Sequence, residues 1–136
     1  MFASRSASTY RTLSVQTGVV DASPHRLIEM LLDGALESIA RARVAMGKRD
    51  VPSRVSAITR ALRIVDEGLK AALNPGGGEI AVNLGRIYGY VTVLLTQANN
   101  DGDEERLIEA ARLLETVREG WRGIAGQVAE LPADGR

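Results

Sequence analysis

Along residues 79–99, Ile80, Leu84, Ile87, Val91, Leu94 and Ala98 recur at steps of four and three. That spacing lines one face of an α-helix. Leu84, Tyr88, Val91, Leu95 and Ala98 trace a second, overlapping face beside it. A bundle helix needs one apolar stripe of limited width, so the surplus predicts a surface kept for another helix. Three more stretches show the same period. Ile28, Leu32, Ala35, Ile39, Ala42 and Met46 step 4-3-4-3-4, with Leu27, Met30 and Leu31 widening the apolar face at its N-terminal end. Val51, Val55, Ile58, Leu62, Val65, Leu69 and Ala72 follow, opposite a polar face of Arg54, Arg60, Arg63, Asp66, Glu67 and Lys70. Leu107, Ala110, Leu114, Val117, Trp121, Ile124 and Val128 complete the set. No segment alternates with the period of a strand.

The punctuation between the stripes agrees. Ser23-Pro24 supplies an N-cap oxygen and a proline suited to the first helical turn. That helix is expected to end near Lys48. Asp50-Val51-Pro52 starts the second, and Asn74-Pro75 ends it, since proline pushes its predecessor out of the helical region. Gly76-Gly77-Gly78 precedes the third helix and Asn99-Asn100-Asp101-Gly102 closes it. Asp101 with Glu104 reads as a capping box for the fourth. Fraying is expected after Trp121, where Gly120, Gly123 and Gly126 weaken the helix. Four long helices with short connections predict an all-α, antiparallel up-down four-helix bundle. Residues 1–17 are expected to form a flexible segment or short helix packed on it, 18–128 the bundle domain, and 129–136 a disordered tail.

Bulk composition narrows the class. At 136 residues the chain makes one domain. Aromatics are 4%, so the core must be aliphatic and rich in alanine, which suits closely packed helices. Net charge is zero, with ten basic against seven acidic residues in 1–68 and seven against ten in 69–136. So mild an asymmetry offers neither a footprint for nucleic acid nor a polybasic membrane patch. There is no cysteine, which excludes disulfides and thiolate metal sites and fits a reducing compartment. No apolar run reaches the roughly 18 residues of a membrane span, and MFASRSASTYR lacks the apolar centre of a signal peptide. A cytosolic protein, with no membrane insertion, is expected.

Candidate chemistry is sparse. His25 has no nucleophile or carboxylate near it in sequence and reads as a solvated surface residue. The glycine run lacks the lysine and hydroxyl of a phosphate loop and is followed by Glu79. Asp101, Asp103, Glu104 and Glu105 lack the spacing of a calcium loop, and acids in a first turn already gain from the helix dipole. No enzyme, cofactor or metal is expected. Gly34, inside a helical stretch, implies either close packing against a neighbour or a dent where a bound peptide can approach. Tyr88 belongs to the surplus stripe and is read as a partner contact, core packing being the alternative. Asn83 is positioned either to bond a peptide backbone or to face water. Trp121 is read as core, closing one end of the bundle.

Several of these residues also carry a resemblance. Gly77-Gly78-Glu79-Ile80-Ala81 with Asn83-Leu84 and Ile87-Tyr88-x-Tyr90, then Ala98-Asn99, an acidic turn, Leu107-x-Glu109 with Leu113-Leu114-Glu115, and Trp121 form one ordered set. Upstream lie Ala22-Ser23-Pro24, Leu27 and Met30-Leu31-Leu32-Asp33-Gly34-Ala35. Together, from about Tyr10 to Trp121, they resemble the FliS family of flagellar export chaperones. Leu32 stands where that family usually has tyrosine, and Asp21 where it has threonine. The resemblance implies binding of the disordered C-terminal segment of flagellin, protection from premature polymerisation, and delivery to the export gate of the flagellar type III apparatus. It also implies that Tyr10, Leu13 and Val15 form a cap displaced by flagellin. The expected partner surface comprises these three with Leu27, Met30, Leu31, Gly34, Asn83, Leu84, Tyr88, Val91 and Leu95. The alternative is a structural or regulatory bundle that self-associates, a homodimer burying its surplus stripes.

Overall fold

The computed structural model describes residues 23–124. The expected N-terminal segment, C-terminal tail and Tyr10, Leu13 and Val15 lie outside them. Helix α1 runs Pro24–Gly47. Ser23 caps it, its hydroxyl accepting from the Arg26 N–H at 3.1 Å. Helix α2 runs Val51–Arg63 and continues as a π-helix over Ile64–Lys70. Asp50 caps α2, accepting from the Ser53 N–H at 3.2 Å and the Ser53 hydroxyl at 2.7 Å. Those two bonds hold the Asp50 carboxyl below its ordinary value. Helix α3 runs Gly78–Asp101 and α4 runs Glu104–Gly123. Between them Gly102 takes φ +65° and its N–H bonds the Ala98 carbonyl at 2.9 Å, a left-handed C-terminal stop that glycine adopts without strain. The expected capping box is displaced by two residues. Asp101 still belongs to α3, and Asp103 caps α4 by accepting from the Glu105 N–H at 3.0 Å.

The four helices pack as a bundle. Helix α1 lies against α2 and α4, and α3 against the same two, so α1 and α3 are diagonal. The sequence pattern leaves that choice open. Cross-links fix the antiparallel sense of α1 and α4. Arg122 and Arg118 near the end of α4 reach Glu29 and Asp33 near the start of α1, while Arg43 meets Glu104 at the other end.

The core follows the predicted stripes on α1 and α4. Leu32, Ala35, Ile39 and Ala42 meet Leu107, Ala110 and Leu114, all at most 1% exposed. On α3 the two overlapping stripes are one broad buried face: Tyr88, Val91, Leu94, Leu95 and Ala98 are all interior. Helix α3 packs against both α2 and α4, and contact with two neighbours takes more apolar width than a single seam. The α2 stripe is turned from the predicted line. Ile58, Ala61, Ile64 and Val65 are buried, while Val51 and Val55 stay exposed. Ala61 is too small to stand out as a hydrophobic anchor in a pattern of larger side chains, yet α2 presents it inward together with Ile58.

Candidate functional site

At the end of the bundle where α1 and α3 begin, the α3 core stripe outruns its neighbours. Ile80 lies on the same helical face as Leu84 and Val91, so its position is that of a core residue. Yet it is 74% exposed. Around it Ile28, Leu69, Leu73, Leu84, Tyr88 and Trp121 line an open, mainly apolar pocket of about 200 Å³. That is below the roughly 300 Å³ of a small-molecule site and suits side chains of a partner.

Each wall has a local cause. The π-helix adds about one residue to the turn, which swings Leu69 and Leu73 toward α3. Gly85 leaves room for this, since a Cβ there would stand 3.4 Å from Leu73 Cδ1. Trp121 closes the far side, stacked on His25 with ring centroids 4.6 Å apart and planes 10° apart. Its indole N–H donates to the His25 carbonyl at 2.9 Å, a tertiary contact that ties the end of α4 to the first turn of α1. His25 is therefore not the solvated residue expected. It is half-buried, and its Nε2 is enclosed without a hydrogen-bond partner among the described residues.

Tyr88 forms the inner wall. It is 2% exposed, and burial pushes its phenol up to about 12. The reading of Tyr88, Val91 and Leu95 as an exposed stripe is corrected here: Val91 and Leu95 are fully enclosed, and Tyr88 is a core residue whose hydroxyl makes no hydrogen bond among the described residues. Leu31 and Gly34 are likewise buried. A Cβ on Gly34 would meet Ile64 Cδ1 at 3.4 Å, so the glycine serves close packing of α1 on α2. Gly34 also lines, with Met30, Asp33, Glu37, Arg41 and Arg60, a polar groove of about 480 Å³ between those helices. Leu27 is half-buried and Asn83 is exposed. The structure thus joins Leu84 with Tyr88 in the end pocket, and Met30 with Gly34 in the lateral groove.

Two arginines expected on the outward face of α2 reach neighbouring helices instead. Arg54 donates to the Asn99 carbonyl at 3.0 Å, at the C-terminal end of α3, where a cation complements the helix dipole. Arg60 donates to the Gly34 carbonyl at 3.2 Å and the Ser38 hydroxyl at 2.5 Å. Nothing in the spacing of α2 marks them, because a long side chain at the edge of a stripe reads as solvated. Ile28 and Ile80 were legible as stripe positions and Leu73, beside the predicted stripe, was not; their convergence depends on the register of three helices. Among the described residues no three His, Cys, Asp or Glu gather in a metal-binding arrangement, and no helix is long and apolar enough to cross a membrane.

A helical bundle whose core stripe runs out into an open apolar pocket has the form of a peptide-binding module. Known proteins similar to the chain give its family. A family model described as flagellar protein FliS matches residues 6–128. The flagellar secretion chaperone FliS of Salmonella typhimurium is 40% identical over 92% of this chain and 93% of its own. The flagellar secretion chaperone FliSB of Pseudomonas aeruginosa is also 40% identical, over 92% of this chain and 99% of its own. The FliS of Bacillus subtilis is 30% identical over 79% of each chain. The chain belongs to the FliS family, a family of flagellar chaperones.

Proposed function

We propose that this protein is a cytoplasmic export chaperone that binds the disordered C-terminal segment of flagellin, prevents its premature polymerisation and supports its delivery to the export gate of the flagellar type III apparatus. The observation that supports this reading is the end pocket: Ile80 holds a core position on α3 yet is largely exposed, and Leu84, Leu73 and Trp121 continue the apolar surface beside it among the described residues. An amphipathic helix or extended apolar segment laid there completes the core from outside, the helix-in-groove mode of recognition. Met30 and Leu27 extend the contact surface along α1, and Asn83 offers an amide at the rim of α3. No cofactor, metal or nucleic acid takes part.

By the family resemblance, Tyr10, Leu13 and Val15, which lie outside the described residues, cap the client surface until flagellin displaces them. The gain is physical: an uncovered apolar patch promotes self-association.

Ile80→Asp is the sharper probe of this function. Its side chain is exposed, so the substitution leaves helicity and the melting midpoint near wild type, while titration with the flagellin C-terminal segment shows binding weakened by roughly tenfold or more, the scale of removing a large apolar contact. Undiminished binding in a folded Ile80→Asp variant contradicts the end pocket as the client site. Concentration-dependent dimerisation that Ile80→Asp abolishes, with no response to flagellin, supports the self-associating alternative.

A further inference from the structure

We infer that the groove between α1 and α2 contains a receptor for a carboxylate of a peptide partner, with Arg60 as its binding residue. This site is separate from the end pocket and stands without it. Arg60 is half-buried, and its guanidinium is fixed through one nitrogen: Nη1 donates to both the Gly34 carbonyl and the Ser38 hydroxyl. Ser38 is 1% exposed, so that anchor is rigid. The Nε and Nη2 groups make no hydrogen bond or ion pair among the described residues. That edge is the fork that grips a carboxylate through two parallel hydrogen bonds. A guanidinium held in place loses little rotamer freedom on binding, so the donor pair is preorganised.

The groove's own acids do not fill the role. Asp33 is engaged by Arg118 at 3.1 Å and Arg122 at 3.7 Å, and Glu37 by Arg41 at 2.8 Å. Arg26 pairs with Glu29. Arg60 is thus the one cation lining this groove without a carboxylate of its own among the described residues. Arginines outnumber carboxylates around it, and partial burial reduces the screening of its charge. Met30 supplies an apolar wall beside it, so a partner segment presenting an acidic side chain next to an aliphatic one matches the groove. The glycine beneath has a structural purpose in this: it lets Ile64 of α2 pack tightly and exposes the carbonyl that holds Arg60.

The test is a side-chain NMR titration of the full chain labelled with 15N. The Arg60 Nε–H signal is assigned by its loss in Arg60→Gln, and the exposed Arg86 serves as internal control. The probe is N-acetylglutamate α-amide, compared with N-acetylglutamine α-amide at constant ionic strength; a second arm uses an acetylated glutamine with a free C-terminal carboxylate. A saturable shift of Arg60 Nε–H and of the Gly34 and Ser38 amides, with the carboxylate probes only, is the expected result. Comparison of the two carboxylate arms shows whether a side chain or a chain end is preferred. Arg60→Lys keeps the charge and a donor for Ser38 but lacks the fork, and it should weaken the Gly34 and Ser38 response severalfold. An Arg60 shift no larger than that of Arg86, or equal shifts with the glutamine probe, overturns the proposal. So does an undiminished response in Arg60→Lys.

Discussion

Tyr88 shows how one side chain can sit in the core and at the site together. Its ring fills the middle of the bundle at 2% exposure while lining the inner wall of the end pocket. Tyr88→Ala therefore removes buried aromatic bulk and is expected to lower stability by about 3–5 kcal/mol, seen as a large drop in the denaturant midpoint. Tyr88→Phe removes only the hydroxyl, which has no partner among the described residues, and should leave stability within about 1 kcal/mol of wild type. A Phe variant as unstable as the Ala variant would show that the hydroxyl is bonded. At Asp50 the charge depends on pH. Its folded-state carboxyl is depressed by the Ser53 bonds, so the cap contributes fully above the ordinary carboxylate range. The contribution is lost as pH falls through the depressed value. Asp50→Asn should flatten the acid limb of the melting-temperature profile, and an unchanged limb contradicts the assignment. Tyr88 and Asp50 also mark what a sequence can disclose. A cap next to its helix is a local relation and was legible. The burial of Tyr88 is set by two helices far away in sequence, and the width of the α3 stripe looks the same whether the surplus faces a partner or the middle of the bundle.

At the scale of elements, the informative departure is the π-helix Ile64–Lys70. The 4-3 apolar spacing of α2 was legible, but the change in winding was not, because the four-residue step from Val65 to Leu69 fits an α turn as well as a π turn. The wider turn lets Ile64, Val65 and Leu69 all face inward. If the segment accommodates about one extra residue, deleting Glu67 should let it relax to an α-helix with Leu69 and Leu73 still aimed at the pocket. Glu67 is lost only from a surface pair with Arg63, worth about 0–1 kcal/mol. Deleting Thr59 from the regular part of α2 should instead rotate everything after it by about 100° and unfold the bundle. Thermal melts followed by circular dichroism separate the two; equal damage from both deletions would mean the π segment holds no spare residue. The helix boundaries follow the same logic. Ser23, Asp50 and Gly102 mark ends that local chemistry dictates, whereas the start of α4 depends on whether Asp101 or Asp103 turns the chain. Both are aspartates, and only the left-handed Gly102 between them decides.

For the whole molecule, the four-helix bundle was evident from periodicity, and the diagonal placement of α1 and α3 was not, since up-down connectivity allows more than one arrangement. Position along α3 explains why the predicted partner residues divide. Those at the middle of α3, Val91 and Leu95, are interior, and those at its start remain accessible beside the α1 entry and the end of α4. Trp121 ties these ends together through His25. Trp121→Ala is expected to cost about 3 kcal/mol and to weaken client binding by removing a wall of the pocket; a melting point unchanged within error would contradict this role. The central claim is that the open end of the bundle binds the flagellin C-terminal segment. Isothermal titration of the full chain with that segment at several temperatures tests it most directly. A saturable one-to-one association with a negative heat-capacity change, the mark of apolar burial in coupled folding, is the predicted result. A folded, monomeric protein that gives no heat at any temperature and no competing binding signal would contradict it.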